Sequence, residues 1–118
     1  MILVDTSVWV DHLRRTELEL VRLLDNGEVM IHPFIIGELA CGNLSNRNEL
    51  LTLFRNLPQA VVASHEEAMT LIEQESLMGK GLGYVDMHLL ASSILSDCQL
   101  WTKDKRLVAV MKEIGVAS

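Results

Sequence analysis

Cysteine and proline are scarce in this 118-residue chain, two of each, and aromatic residues make up only 4% of it. Cys41 and Cys98 lie far apart, each beside apolar neighbours, which argues against a disulfide framework or a zinc knuckle. Both read as small buried thiols with no part in redox chemistry. No apolar run approaches the roughly 18 residues of a membrane span. The opening segment carries Asp5 and Asp11, where a secretory leader is basic. The expectation is a soluble, cytoplasmic protein with no membrane partner. Positive charge is also short: ten Lys and Arg against sixteen Asp and Glu leave a formal charge of −6. That balance is unsuited to gripping nucleic acid by backbone neutralisation alone, so a nucleic-acid role would need metal ions or a local basic rim.

What is present is apolar substance: 49% of the residues, enough for one core at this length, so one domain over 1–118 is expected. Periodicity and punctuation alternate along the chain. Strands are expected at 2–5, 29–31, 60–63 and 99–102, with a stub at 116–117. Helices are expected at 7–14, capped by Thr6 or Ser7, then 17–26, 33–41, 49–56, 65–78, 85–97 and 105–113. Ser64 with Glu67 forms a capping box for the fifth of these, and residues 79–83 make a glycine-rich loop. Strands that are apolar throughout, separated by helices, predict an α/β fold with a parallel sheet covered on both faces.

Four acids stand out from the other twelve. Asp5 closes the apolar run Ile2-Leu3-Val4, and Asp104 follows Gln99-Leu100-Trp101-Thr102, so both fall at carboxyl ends of strands, where parallel sheets bind ligands. Glu38 lies within a helical turn of Phe34, Ile35, Cys41 and Gly42, beside an apolar stripe. Asp86 heads a helix with Leu89, Leu90 and Ser93 on its side. Each has a structural reading as well: helix capping for Asp5 and Asp104, dipole stabilisation for Asp86, and an acid at the edge of a stripe for Glu38. Capping leaves Asp5 surplus, since Thr6 or Ser7 serves equally. Crowded carboxylates are costly without a cation, and Mg²⁺ and Mn²⁺ are cations that prefer carboxylate oxygens. His12, His32, His65 and His88 share no metal-ligand spacing and read as satisfied structural histidines.

Met1-Ile2-Leu3-Val4-Asp5-Thr6-Ser7-Val8-Trp9-Val10, the Glu38 helix, Gly83-Tyr84-Val85-Asp86-Met87-His88-Leu89-Leu90-Ala91 and Leu100-Trp101-Thr102-Lys103-Asp104-Lys105-Arg106-Leu107 occur in that order. Together they resemble a PIN-domain ribonuclease of the VapC toxin type, over nearly the whole chain. The resemblance implies a three-layer α/β/α sandwich around a parallel sheet of four or five strands. It implies that Asp5, Glu38, Asp86 and Asp104 form an acidic quartet for one or two Mg²⁺ or Mn²⁺ ions, with Thr6 and Thr102 as supporting hydroxyls. The loop before Asp86 departs from the commoner Arg-Pro version, having Lys80 and Leu82.

The function so implied is metal-dependent endonucleolytic cleavage of RNA, by a toxin whose antitoxin covers the crevice. A homodimer is expected too. Arg14, Lys80, Lys103 and Lys105, with Arg15 and Arg106, are the candidates for RNA contacts. Apolar residues near Trp9 and Phe54 are interface candidates, with core packing the stronger reading for both. The rival readings are a phosphatase forming an aspartyl-phosphate at Asp5, which wants a second acid where Ser7 stands, and a catalytically silent binding module.

Overall fold

Ile2–Val4, Val29–Met30 and Gln99–Trp101 form the strands β1, β2 and β3 of the computed structural model, which describes residues 1–118. All pairings are parallel, in the order β2-β1-β3, with Ile2 opposite Val29 and Gln99, and Val4 opposite Trp101. Leu3 and Val4 point to opposite faces of the central strand, yet both are fully buried. The sheet is therefore covered on both faces, which is why its strands need no polar alternation. The amide of Asp5 donates to the Trp101 carbonyl at 2.8 Å, carrying the ladder one residue beyond β1.

Seven helices surround the sheet: α1 Thr6–Arg14, α2 Leu18–Asp25, α3 Pro33–Ala40, α4 Arg47–Asn56, α5 His65–Gln74, α6 Tyr84–Ser96 and α7 Lys105–Ile114. Their ends follow local chemistry. Pro33 occupies the first turn of α3, where its missing N–H costs nothing, and the His32 imidazole accepts the Phe34 amide as the cap. Ser64 and Glu67 close a reciprocal capping box on α5. Helix α6 is buried continuously from Met87 to Ser93 and serves as the inner helix of its layer. A cluster of 21 buried apolar residues fills the space between sheet and helices. Trp9 and Phe54 belong to it, packed edge to face with ring centres 5.1 Å apart. Burying side chains of this size contributes about 1.5–3 kcal/mol each.

The α/β class and the parallel sheet are as expected, but the sheet has three strands instead of four or five. Residues 60–63 do not form the fourth. The contact there is a single bridge, in which Ile31 donates to the Pro58 carbonyl and Ala60 to the Ile31 carbonyl. Beyond it the amides of Val61 and Ala63 turn to the hydroxyls of Ser96 and Ser92 on α6, at 2.8 and 3.4 Å. Serine side chains thus take the donors that a strand ladder requires. The stub at 116–117 likewise contributes one bond, from the Leu100 amide to the Ala117 carbonyl. The expected thiol burial also fails: Cys41 is exposed and Cys98 half-buried, both free.

Candidate active site

The strand order places β1 between its neighbours, so Asp5 emerges from the middle of the carboxyl-end crevice. It is 8% exposed, and each carboxylate oxygen has partners. Oδ1 accepts the Thr6 amide at 2.8 Å, making Asp5 the cap of α1 in place of Thr6 or Ser7. Oδ2 accepts the hydroxyls of Thr102 at 2.7 Å and Ser7 at 3.0 Å. Those hydroxyls accept in turn from the amides of Asp104 and Lys103, both at 3.1 Å. A relay of hydrogen bonds thus ties the end of β3 to the first turn of α1 through one oxygen of Asp5. Ser7 is part of this machinery although the sequence offered it only as a cap. Its position two residues after an acid at a strand end was the available signal.

The other three acids approach from three more elements. Glu38, in the last turn of α3, is exposed and accepts the Thr6 hydroxyl on Oε1 at 2.7 Å. Asp86, in the first turn of α6, accepts the Gly83 amide on Oδ2 at 3.1 Å. Asp104 caps α7 through Oδ1, which accepts from Arg106 at 2.9 Å and Leu107 at 3.4 Å. The two expected supports therefore divide: Thr102, joined by Ser7, serves Asp5, whereas the Thr6 hydroxyl serves Glu38.

Charge shows that the four share one field. Asp86 is held above the usual carboxylate range, first by burial and then by repulsion from Asp5, Asp104 and Glu38, with only the Gly83 amide opposing. Of the four, Asp104 alone has a cation within 4 Å, the Arg106 Nε at 3.7 Å. No three His, Cys, Asp or Glu side chains stand at the spacing of a closed coordination shell. A hard octahedral ion that keeps several waters and takes one or two carboxylates fits such an open arrangement. The chemistry of the donors fits it too: oxygen ligands only, with surplus negative charge that a divalent cation relieves.

The candidate RNA-contact cations differ in availability. The Lys103 ammonium is held by Asp11 at 2.8 Å and Glu17 at 3.1 Å, and Lys80 by Glu113 at 3.3 Å. Arg14 and Lys105 are exposed and make no ion pair. Arg14 lines a cavity of about 350 Å³ that Glu38 also borders. Arg106 bridges two parts of the site, since a Cβ on Gly81 would come within 3.1 Å of its guanidinium. Gly81 has φ +80°, a left-handed conformation that favours glycine in the loop before Asp86.

Two of the histidines are buried without full satisfaction, contrary to the sequence reading. His32 uses Nδ1 to accept the Phe34 amide but leaves Nε2 bare, and neither nitrogen of His88 has a partner. Burial, with the neighbouring His88, lowers the His32 imidazole to about 4, and burial with nearby His65 lowers His88 as well. Both are neutral rings at physiological pH.

The PIN domain family model matches residues 2–113. The chain belongs to the PIN-domain family. It is 48% identical over 118 residues to Ribonuclease VapC32 of Mycobacterium tuberculosis, strains H37Rv and CDC 1551, covering 99% of this chain and 95% of that protein. It is 27% identical over 119 residues to Ribonuclease VapC1 of Methanocaldococcus jannaschii, covering 98% of this chain and 84% of the other. No helix of the structure is long and apolar enough to cross a membrane.

Proposed function

We propose that this protein is an endoribonuclease of the VapC type, the toxin of a toxin–antitoxin pair, working as a single PIN domain and dependent on Mg²⁺ or Mn²⁺. The observation that carries the metal site is the hydrogen-bonded linkage that brings Asp5, the Thr102–Asp104 segment following β3 and, through Thr6, Glu38 together, beside an Asp86 raised by burial and by these three charges. The near-full-length likeness to a ribonuclease supports the reaction class. Asp5, Glu38 and Asp86 are the ligands in this reading, directly or through water, and Asp104 completes a second ion or orients water. When bound, the metal supplies an acidified water and charge compensation at the scissile phosphodiester.

The protein's own part is positioning. Thr102 and Ser7 hold Asp5 in one rotamer, and hydrogen bonds from outer partners of this sort commonly tune metal affinity by about 10- to 100-fold. Thr6 does the same for Glu38 from the first turn of α1. The aspartyl-phosphate reading is disfavoured because Ser7 stands where such a phosphatase wants its second acid, and here the Ser7 hydroxyl donates to Asp5 instead. Arg14 and Lys105 are the cations suited to RNA phosphates, whereas Lys80, Lys103 and Arg106 would first have to leave their carboxylate partners. RNA, a cognate antitoxin and a second copy of the chain are the partners of this reading, and the cytoplasm is its setting.

The test is cleavage of a cellular RNA pool by purified, partner-free protein with Mg²⁺ or Mn²⁺, beside EDTA and the Asp5→Asn variant. Discrete cuts that need metal and vanish in Asp5→Asn are expected. Cleavage unaffected by EDTA would remove the metal from the mechanism.

A further inference from the structure

Helix α7 opens on two cations, Lys105 and Arg106, directly after its cap Asp104. That end does not suit them: the first turn of a helix carries the positive pole of the backbone dipole and favours acids, while cations belong in the last turn. Helix stability therefore does not account for the pair, and a local rule broken without a gain in folding points to function. Lys105 makes no ion pair. Arg106 is the one Lys or Arg of the chain within 4 Å of any of the four crevice acids, whereas Arg22, Lys80 and Lys103 meet acids outside the crevice.

Contacts on two sides fix where the Arg106 charge lies. Its amide donates to Asp104 Oδ1 at 2.9 Å, and its Nε returns to the same oxygen at 3.7 Å. Its Cδ and Nη1 both lie 3.1 Å from where a Cβ on Gly81 would stand, so the side chain rests against the loop before Asp86. That loop's own cation, Lys80, is turned away to Glu113 in the last turn of α7. Two residues beyond Gly81, the Gly83 amide holds Asp86 Oδ2. Arg106 thus spans from the loop that supports one acid to the carboxylate of another. On Asp104, Oδ1 takes two amides and the guanidinium, and Oδ2 is the oxygen left open to an ion.

We propose that Arg106 is a tethered counter-ion of the crevice, a cation resting on Gly81 that occupies the edge of Asp104 and weakens the binding of a divalent ion there. The proposal rests on the metal-site reading above. The guanidinium relieves part of the repulsion among the acids while no ion is bound, and an arriving ion meets it as a like charge. Because 67% of the Arg106 side chain is exposed, water and salt screen that repulsion, so it tunes affinity without blocking the site. Arg106 touches no reacting group in this reading. It is a positioning residue that acts through Asp104.

Titration with Mn²⁺, followed by the electron paramagnetic resonance signal of the free ion, reads the affinity without any cleavage. Arg106→Gln, which keeps a long polar side chain and loses the charge, should bind Mn²⁺ about three- to tenfold more tightly than wild type. Arg106→Lys, which keeps the charge, should stay within about twofold of wild type. Added salt should narrow the gap between wild type and Arg106→Gln. In an Asp104→Asn background, Arg106→Gln should change the affinity no further, since the two residues act as one pair. Circular dichroism melting verifies that each variant folds. If wild-type protein binds Mn²⁺ and Arg106→Gln binds it equally well, the counter-ion is wrong and the metal site stands. Equal tightening in Arg106→Lys, or a gap that high salt leaves unchanged, would assign the effect to packing and overturn the proposal. The same gain without Asp104, or weaker binding in Arg106→Gln, would overturn it too. Wild-type protein that binds no Mn²⁺ would remove both this proposal and the metal-site reading.

Discussion

Two acidic regions of this molecule lie a short stretch of chain apart and are built in opposite ways. On the flank, Asp11 and Glu17 converge on the Lys103 ammonium, which holds Asp11 below the usual carboxylate range and is itself raised by both. In the crevice, Asp5, Glu38, Asp86 and Asp104 converge with only the distant Arg106 beside Asp104, and Asp86 is raised. The same residue types are internally neutralised in one place and left in mutual repulsion in the other. Lys103 marks the division, because its ammonium serves the flank while its amide supports Ser7 in the crevice. Unrelieved repulsion costs stability, and such sites are where proteins accept that cost for function.

The largest expected effect breaks the crevice itself. Asp86→Asn should reduce RNA cleavage by more than about 100-fold, exceeding the 10- to 100-fold that losing an outer partner of a metal ligand costs. Steady-state cleavage of a defined RNA measures it, and activity near wild type would remove Asp86 from the catalytic set. The same variant should be more stable than wild type in EDTA at neutral pH. Asp86 has a folded pKa above its unfolded value, so its native state holds the proton more tightly and stability falls as pH rises from near 3.8 through that raised value. Removing the charge removes the penalty. Thermal melts from pH 4 to 8 should show Asp86→Asn losing less stability with rising pH, and Mg²⁺ should raise the wild-type Tm by more than that of the variant. Equal pH slopes in EDTA would mean that the crevice is not under electrostatic strain.

Thr102→Val sharpens the comparison from the side of support. It strips one donor from the buried Asp5 oxygen and leaves the Asp104 amide without its acceptor, for a cost of about 1–3 kcal/mol by denaturant unfolding. Cleavage should fall by about 10- to 100-fold, with a higher metal requirement. The smallest effect is expected on the flank: Lys103→Ala should leave the rate within about twofold, because exposed ion pairs contribute little. A large loss of RNA affinity in that variant would show that Lys103 exchanges its carboxylates for phosphate, and the division between the two regions would fail.

The family and the α/β class were legible because they rest on local signals: apolar runs at strand spacing, helix caps, and acids at strand ends. Ser64 with Glu67 and Pro33 with the Glu38 helix appear where chain chemistry alone puts them. The sheet width was not legible, because Ala60-Val61-Val62-Ala63 has strand composition and only the distant hydroxyls of Ser92 and Ser96 divert its amides. Lys103 reads as a free basic residue until Asp11 and Glu17 are brought beside it. The bare nitrogens of His88 are equally invisible in one dimension.

By itself, then, the sequence determined which residues are the candidates for chemistry here, since acids at or near element ends need only local spacing to be recognised. The tertiary structure decided which of them share a field, which cations are already spent, and that Ser7 and Thr102 act on the same oxygen. Those are questions of distance between residues up to 97 positions apart, as Thr102 and Asp5 are. Electrostatic repulsion and hydrogen bonding act through space, so no reading along the chain contains them.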